Sequence, residues 1–259
     1  MSVVTYLDKR ASNAVLSSAE QSSIDTSISA LKSRLAIYFG SDLSDQFRFG
    51  SSTRGTILPR AMDEHSDIDY MVVFAERGYS PQTYLDRLKR FAETYYSKSD
   101  IKQSSPTIIL LLNHIRFDLV PALDEQYLSG YEIPKGATAW QSTNPNDFNA
   151  KLIEKNNAEL SKIKPAIRLL KYWNAESGYI YDSYSLEKWV ITLSFYTAIN
   201  LRDYLFTIFD NLTLGYDQAQ WRKDKLAKAK AIIAEVRRLE SEDMPYSAEA
   251  EIKKLIPEW

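Results

Sequence analysis

The chain contains no cysteine and only two histidines. These shortages exclude disulfide bonds, thiol catalysis and a cysteine-based zinc site. They also fit a reducing compartment, and we therefore expect a cytoplasmic protein. The formal net charge is only −2, so no overall basic field favours the binding of long nucleic acid. No apolar run approaches the length of a membrane span, and the first residues do not resemble a signal peptide, so membrane association is not expected.

The 259 residues that are present, 44% of them apolar, suffice for one large domain or two modest ones. In the first part of the chain, a capping box at Ser17 and a repeating apolar face predict a long helix over residues 17–39. Residues 121–145 are rich in proline, glycine and polar residues and predict a long connection. The other elements predicted here are strands over 45–49, 66–75, 107–112 and 114–120, and a helix over 81–96.

From Asp147 onward the apolar periodicity is helical almost to the last residue. Pro165 is expected to begin a helix or to kink one. We therefore predict an α+β protein with a mixed-sheet lobe over residues 1–145 and an all-helical lobe over residues 146–259. The predicted helices of the second lobe cover 147–162, 165–175, 184–210, 217–241 and 247–255.

Two carboxylates lie one residue apart at the start of a strand that is otherwise apolar. Alternate side chains of a strand share a face, so Asp67 and Asp69 point the same way, while the alternating apolar residues from Ile68 cover a helix on the other face. Two like charges this close repel each other unless a cation lies between them. Mg²⁺ takes oxygen ligands and usually combines carboxylates with substrate phosphates, so the pair predicts a metal site.

A third carboxylate follows in the stretch H-I-R-F-D-L-V-P. Asp118 shares one strand face with Arg116 and His114, and it joins the first two carboxylates if the two strands are neighbours. Three carboxylates are expected to hold two Mg²⁺ or Mn²⁺ ions, one activating a hydroxyl and the other stabilising a leaving pyrophosphate. Asp118 is then either a metal ligand or the proton acceptor.

A glycine–serine pair, Gly50-Ser51, ends the strand that precedes the two carboxylates. Glycine lets a ligand approach the backbone closely, and the serine hydroxyl with nearby N–H groups can cradle a phosphate. Alone, such a pair is an ordinary turn and a lone D-x-D is a pair of surface acids, but the full combination is specific. Arg54 either reaches phosphate through its fork of donors or pins the loop.

The stretch F-G-S-S-T-R-G-T followed by S-D-I-D-Y-M-V-V-F resembles the polymerase-β-type nucleotidyltransferase signature. Its R-G-T and its long spacer are similar to the bacterial cGAS/DncV-like nucleotidyltransferases, the CD-NTases of SMODS type. In the second half, K-P-A-I-R-L-L-K-Y-W-N and S-Y-S-L-E resemble the helical lobe of oligoadenylate synthetases and cyclic GMP–AMP synthase. The resemblance implies an enzyme that joins NTPs into a cyclic di- or oligonucleotide second messenger and releases pyrophosphate. It further implies a downstream effector protein and CBASS-type anti-phage defence.

The resemblance also implies that residues 1–145 form the catalytic lobe, with the 17–39 helix as its spine, and that substrates lie between the lobes. Lys171 is expected to contact the β- and γ-phosphates, and Tyr184 to stack on the donor base. Ser185 is an alternative to Ser183 as a phosphate contact. The metal ligands are then Asp67, Asp69 and Asp118, and the nucleotide-binding residues are Gly50, Ser51, Lys171, Ser183 and Tyr184, with Arg54 added for its donor geometry.

Lys171 belongs to a basic helical stripe that also contains Lys164 and Arg168. We expect Lys164 and Arg168 to be solvated and Lys171 to be functional. Glu187, at the end of S-Y-S-L-E, is expected to be structural and to form an ion pair with a lysine.

Two alternatives to a messenger synthase stay open. The chain can be a nucleotidyltransferase that modifies a tRNA end, an antibiotic or a protein side chain, although S-Y-S-L-E weighs against this. It can also be a non-catalytic nucleotide sensor, although the presence of all three aspartates weighs against that. Animal cyclic GMP–AMP synthase carries a zinc insertion with a cluster of cysteine and histidine. This sequence lacks that cluster, so activation by long double-stranded DNA has no support.

Overall fold

The computed structural model describes residues 2–125 and 129–258. Across these residues the chain forms seven β-strands and ten α-helices, which confirms the predicted α+β class. The strands are β1 (Leu43–Phe49), β2 (Asp67–Phe74), β3 (Asp100–Ser104), β4 (Thr107–Leu111), β5 (Arg116–Asp124), β6 (Tyr131–Lys135) and β7 (Ala139–Thr143). The helices are α1 (Val3–Asn13), α2 (Ser18–Phe39), α3 (Ser51–Arg54), α4 (Pro81–Tyr95), α5 (Pro145–Ala158), α6 (Ile163–Glu176), α7 (Ser183–Val190), α8 (Leu201–Asn211), α9 (Gln220–Ser241) and α10 (Pro245–Ile252).

The described strands form one mixed sheet. Its main path runs β1-β2-β5-β4-β3, while β6 pairs with β5 and β7 pairs with β6. The β2–β5 pair is parallel, and the other pairs are antiparallel. Because a parallel pair in the middle of a sheet is buried on both faces, β2 reads after Asp69 as the continuous apolar run Y-M-V-V-F.

The two faces of the sheet carry different apolar clusters. On one face, the alternating residues that begin at Ile68 pack against α2 and α4, as the sequence predicts. On the other face, Met71 and Val73 form a smaller cluster with Val120 and Ala122 of β5. Alternation from Met71 back to the start of β2 places the two strand carboxylates on this second face, opposite to the one that the helices cover.

Local signals in the sequence explain where the two sheet-packing helices begin. The Ser17 hydroxyl accepts a hydrogen bond from the Glu20 N–H, and the Glu20 carboxylate accepts one from the Ser17 N–H at 2.9 Å. This reciprocal capping box satisfies two N–H groups that the first turn of a helix leaves without a helical acceptor. Pro81 occupies the first turn of α4, where its missing N–H is not needed. Both helix starts confirm the sequence prediction.

The chain divides into two compact units. A sheet unit contains Leu16–Arg60 and His65–Ala150, and a helical unit contains the chain up to Val15, Ala61–Glu64 and the chain from Lys151 onward. The predicted assignment of everything before residue 146 to the sheet lobe is therefore wrong for α1 and for Ala61–Glu64. α1 belongs to the helical unit because it buries Val3, Tyr6 and Leu7 there, and because the Tyr6 hydroxyl donates to the Ile256 carbonyl oxygen at 2.6 Å.

Other departures from the sequence prediction occur where periodicity is weak or continues across a break. Residues 121–145 are not a connection, because they contain the end of β5 and the hairpin β6–β7; Gln126, Tyr127 and Leu128 of that range lie outside the described residues. The predicted helix over 184–210 is two helices, α7 and α8. The second begins anew because the Asn200 side chain accepts a hydrogen bond from the Asp203 N–H at 3.2 Å. The sequence analysis also missed α1, α3 and β3.

No helix within residues 2–125 and 129–258 combines the length and the apolar character that a membrane crossing requires.

Candidate active site

The strand register brings the predicted acidic residues to one end of the sheet. In the parallel β2–β5 pair, Asp69 lies opposite Asp118 and Asp67 lies opposite Arg116. Asp118 is buried, whereas Asp67 and Asp69 are half-buried. Residues opposite each other on neighbouring strands share a face, so the second and third carboxylates occupy adjacent positions. The two strands that carry these aspartates are therefore neighbours, which is the condition under which Asp118 was expected to join the pair.

Arg116 forms a bidentate ion pair with Asp118 on the same strand. Its Nε donates to Asp118 Oδ1 at 2.6 Å, and its second terminal nitrogen, Nη2, donates to Oδ2 at 2.7 Å. The hydrogen bonds to Asp118 raise the pKa of the Arg116 guanidinium, against the opposite effect of burial. The charges of Asp118, Asp67 and Asp69 raise this pKa further. One fixed cation therefore interacts with all three carboxylates. The sequence placed Arg116 on this strand face but assigned it no role.

Gly50 lies against the second carboxylate. It directly follows Phe49, which pairs with Asp69 across the β1–β2 register. Its φ is +73°, and a Cβ at this position would lie 1.8 Å from Asp69 Oδ2. Only glycine fits here, because any side chain would collide with the carboxylate and would also strain the backbone. The observation gives a physical reason for the glycine of the predicted Gly-Ser pair.

The segment after Gly50 folds into one short, tightly bonded turn. The Gly50 carbonyl accepts from the N–H groups of Thr53 and Arg54, and the Ser51 carbonyl accepts from those of Thr56 and Ile57. Ser51 is half-buried at the start of this turn. The turn holds Ser51 immediately after Gly50, whose backbone lies against Asp69.

Arg54 is almost fully buried, with 6% of its surface exposed. Its guanidinium lies over the Phe148 ring at 5.1 Å from the ring centre. A buried cation stacked on an aromatic face ties two segments together. Of the two roles considered from the sequence, this position supports pinning of the loop, and contact with phosphate stays a prediction.

In the helical unit, Lys171 is buried against α7. Its Nζ lies 3.3 Å from Glu187 Oε1, and the two side chains are only 7% and 1% exposed. The predicted ion pair between Glu187 and a lysine is therefore confirmed. The phosphate contact of Lys171 stays a prediction. The solvated surface predicted for Arg168 is wrong, because this side chain is half-buried and its Nη2 donates to the Ala11 carbonyl oxygen at 3.3 Å. Burial lowers the pKa of its guanidinium.

Ser183 and Tyr184 begin α7, and an aspartate that the sequence analysis missed caps this helix. The Asp182 side chain accepts a hydrogen bond from the Ser185 N–H at 2.7 Å. Ser183 is half-buried, and the Tyr184 ring is 45% exposed with the Lys188 Nζ 5.5 Å from its centre. The D-S-Y-S spacing, with an acidic residue just before a predicted helix, was the available signal for the cap.

The donor set of the sheet unit fits divalent cations. Carboxylate oxygens are the ligands that Mg²⁺ and Mn²⁺ prefer, and the Arg116 guanidinium holds one of the three carboxylates in place. Within residues 2–125 and 129–258, no three histidine, aspartate or glutamate side chains are gathered closely enough to hold a metal ion. The side chains are therefore of the type that binds divalent cations, but they are not grouped as a preformed metal site.

Comparison with known proteins gives matches in sequence. A family model described as the Second Messenger Oligonucleotide or Dinucleotide Synthetase domain matches residues 1–156. A probable cyclic nucleotide synthase of Bacillus cereus (strain VD146) is 28% identical over 181 residues. That match covers 55% of this chain and 54% of the relative, so the chain matches about half the length of this curated protein.

Solved structures are similar in fold. CdnC of E. coli MS115-1, in a complex with HORMA-deltaN, superposes with a TM-score of 0.73 at 16% identity, covering 98% of this chain and 96% of that one. CdnG of Bradyrhizobium diazoefficiens, in complex with GTP, gives a TM-score of 0.70 at 12% identity, covering 96% and 97%. The apo form of Vibrio cholerae DncV gives 0.65 at 13% identity, covering 96% and 77%. At these identities the likeness concerns the fold.

Proposed function

The chain belongs to the Second Messenger Oligonucleotide or Dinucleotide Synthetase family, and from that premise we propose that it joins nucleoside triphosphates into a cyclic di- or oligonucleotide. A ribose hydroxyl of one nucleotide attacks the α-phosphorus of another. The bond from that phosphorus to the β-phosphate oxygen breaks, pyrophosphate leaves, and the hydroxyl proton passes to a carboxylate or to water. A second transfer within the linear product closes the ring.

One observation carries the proposal: Asp69 and Asp118 lie opposite each other on parallel strands, and Gly50 lies directly beside Asp69. Two carboxylates on neighbouring strands, with a glycine backbone against one of them, support a site where a phosphate and its cation would bind. Asp67, two residues before Asp69 on the same face, supplies the third oxygen ligand. An edge of surface acids would have no need of a glycine fitted against one carboxylate.

Asp67, Asp69 and Asp118 would hold two divalent ions. When bound, these ions lower the pKa of an attacking hydroxyl and neutralise the charge that develops on the leaving pyrophosphate. The contribution of the chain itself is to position the carboxylates and the triphosphate. The strand pair fixes the carboxylates, and the Ser51 hydroxyl, with backbone N–H groups at the very start of its turn, would hold the triphosphate. Asp118, the most buried of the three, would accept the hydroxyl proton or orient the attacking oxygen.

The helical unit supplies the remaining proposed contacts. Lys171 would contact the β- and γ-phosphates, Ser183 would donate to a phosphate oxygen, and Tyr184 would stack on the donor base. The exposed ring of Tyr184 at the start of α7 supports the stacking role, because a base needs one open aromatic face. The cyclic product would act as a second messenger on a separate effector protein in CBASS-type anti-phage defence.

The test is product analysis with purified protein, the four NTPs and Mg²⁺ or Mn²⁺, by liquid chromatography and mass spectrometry. We expect pyrophosphate and a cyclic product without any other acceptor. Asp69→Asn should abolish both, whereas Asp86→Asn, on the exposed side of α4, should not. A linear pppNpN product alone would contradict ring closure. Nucleotide transfer that occurs only when a tRNA, an antibiotic or a protein is added would favour the other nucleotidyltransferase classes. NTP binding without turnover would favour a sensor.

A further inference from the structure

Arg116 stands among the three carboxylates that the proposed function uses. It lies two residues before Asp118 on the same strand face and opposite Asp67 across the parallel register. Its guanidinium holds both oxygens of Asp118, at 2.6 and 2.7 Å. A single side chain thus supplies a fixed positive charge at the point where the proposed reaction needs divalent ions.

We infer that Arg116 is an internal counter-ion, which keeps the carboxylates together while no divalent ion is bound and releases Asp118 when one binds. The inference rests on the proposed function, because it takes Asp67, Asp69 and Asp118 as the ligands. Arg116 is a positioning residue in this scheme, since it acts through Asp118 and not on the substrate.

The geometry of the pair gives the first reason. A carboxylate has about four lone-pair positions, and a bidentate guanidinium occupies the two that point forward between its oxygens. A metal ion approaching Asp118 from that side must displace at least one N–H donor.

Charge gives the second reason. Neighbouring carboxylates repel one another, and a guanidinium between them reduces that repulsion. The same positive charge opposes the arrival of a divalent cation, because like charges at short range disfavour each other. Arg116 should therefore stabilise the metal-free protein and weaken its affinity for the first ion. The Arg116 side chain is 22% exposed, which leaves it room to move.

A second bidentate arginine–aspartate pair in the chain provides a control for the Arg116–Asp118 pair. In the helical unit, Arg237 donates to both oxygens of Asp210, at 3.0 and 2.6 Å. That pair is also bidentate, although Arg237 uses its two terminal nitrogens where Arg116 uses Nε and Nη2, and its carboxylate is not among the proposed metal ligands. Arg237→Gln is therefore a control for the loss of a bidentate arginine–aspartate pair as such.

The experiment is a Mn²⁺ titration of the nucleotide-free protein by isothermal calorimetry, with thermal unfolding measured in EDTA. Arg116→Gln should bind Mn²⁺ about tenfold more tightly than the wild type and should unfold at a lower temperature in EDTA. Arg116→Lys keeps the charge but loses the fork, so its Mn²⁺ affinity should lie between the two. Arg237→Gln should bind Mn²⁺ like the wild type.

Unchanged or weaker Mn²⁺ binding by Arg116→Gln would overturn the inference, because a residue that only orients Asp118 for the metal should weaken binding when removed. If Arg116→Gln does not fold, Arg116→Lys decides: binding tighter than wild type supports the inference, and equal or weaker binding overturns it. Neither readout needs turnover. If the variants bind Mn²⁺ as expected but the wild type forms no nucleotide product, the proposed function alone is overturned. If no variant binds Mn²⁺, both the inference and the proposed function are overturned.

Discussion

The sheet unit and the helical unit each bury an ion pair, and the two pairs are built differently. In the sheet unit, Arg116 holds Asp118 through two N–H donors, and the side chains are 22% and 10% exposed. In the helical unit, Lys171 and Glu187 meet through one contact of 3.3 Å, and the side chains are 7% and 1% exposed. The first pair lies beside further carboxylates and is partly exposed, whereas the second is more deeply buried.

The comparison teaches that burial of charge has two uses in this chain. Removing a partner from an enclosed pair leaves a desolvated charge, and its effect should be on stability. Removing a carboxylate from the partly open cluster relieves repulsion and should harm cation binding and catalysis instead. The substitutions below separate the two effects.

Asp69→Asn should have the largest effect, and it should be an effect on activity. Loss of one proposed metal ligand removes several kcal/mol of transition-state stabilisation, so the rate of pyrophosphate release should fall on the order of a thousandfold. The melting temperature in EDTA should stay the same or rise, since one of three repelling charges is gone. A pyrophosphate assay and calorimetry check both parts, and a fall in stability with activity retained would contradict the comparison.

Glu187→Gln, in the helical unit, should lower stability, in contrast to Asp69→Asn, which should lower activity. The Lys171 ammonium would lose the buried carboxylate that it contacts, at a cost of about 3 kcal/mol in the free energy of unfolding. Denaturant unfolding followed by circular dichroism measures this. The control is Glu242→Gln, which breaks an exposed pair with Arg238 and should change nothing measurable. Equal stability of the two variants would show that the enclosed pair is not structural.

Gly50→Ala tests how tightly the backbone fits the carboxylate. The added Cβ must push Asp69 aside, because it would lie 1.8 Å from Oδ2, and displacement by about 1 Å lowers catalysis about a hundredfold. Gly136→Ala is the matched control. Its φ of +76° is also in the range that disfavours a side chain, but a Cβ there meets nothing within 4 Å. Equal activity of the two variants would mean that Asp69 does not need its present position.

Tyr184→Ala should have the smallest of these effects. Loss of a stacking partner for the donor base should raise the KM for NTP about tenfold with little change in kcat. Tyr184→Phe keeps the ring and should restore the wild-type KM. Steady-state kinetics separate the two parameters. An unchanged KM in Tyr184→Ala would remove the tyrosine from the nucleotide site and leave it as an exposed ring on α7.

Strong local signals allowed much of the fold to be predicted. The capping box at Ser17 predicted the start of α2, and the alternation around Ile68 predicted which face of β2 packs on helices. The hairpin β6–β7 escaped prediction because its short strands are half-exposed and lack a repeating apolar face. The break before α8 escaped because apolar residues continue across 191–200, and only the cap at Asn200 marks the new helix.

The candidate site was predictable in its parts but not in its pairing. Asp67 and Asp69 on one strand face follow from alternation alone. That Asp118 lies opposite Asp69 depends on the parallel register of two strands far apart in sequence, which no local pattern specifies. The engagement of Asp118 by Arg116 depends on side-chain geometry, and the fit of Gly50 against Asp69 depends on a close backbone approach that sequence alone does not reveal.

The most direct test of the account is the anomalous diffraction of crystals grown with Mn²⁺ and a non-hydrolysable NTP. The account predicts Mn²⁺ peaks coordinated by Asp69 and Asp118, a triphosphate beside Ser51, and an Arg116 guanidinium displaced from at least one oxygen of Asp118. Mn²⁺ bound elsewhere on the protein, with Arg116 still holding both oxygens of Asp118 while the nucleotide is bound, would contradict it.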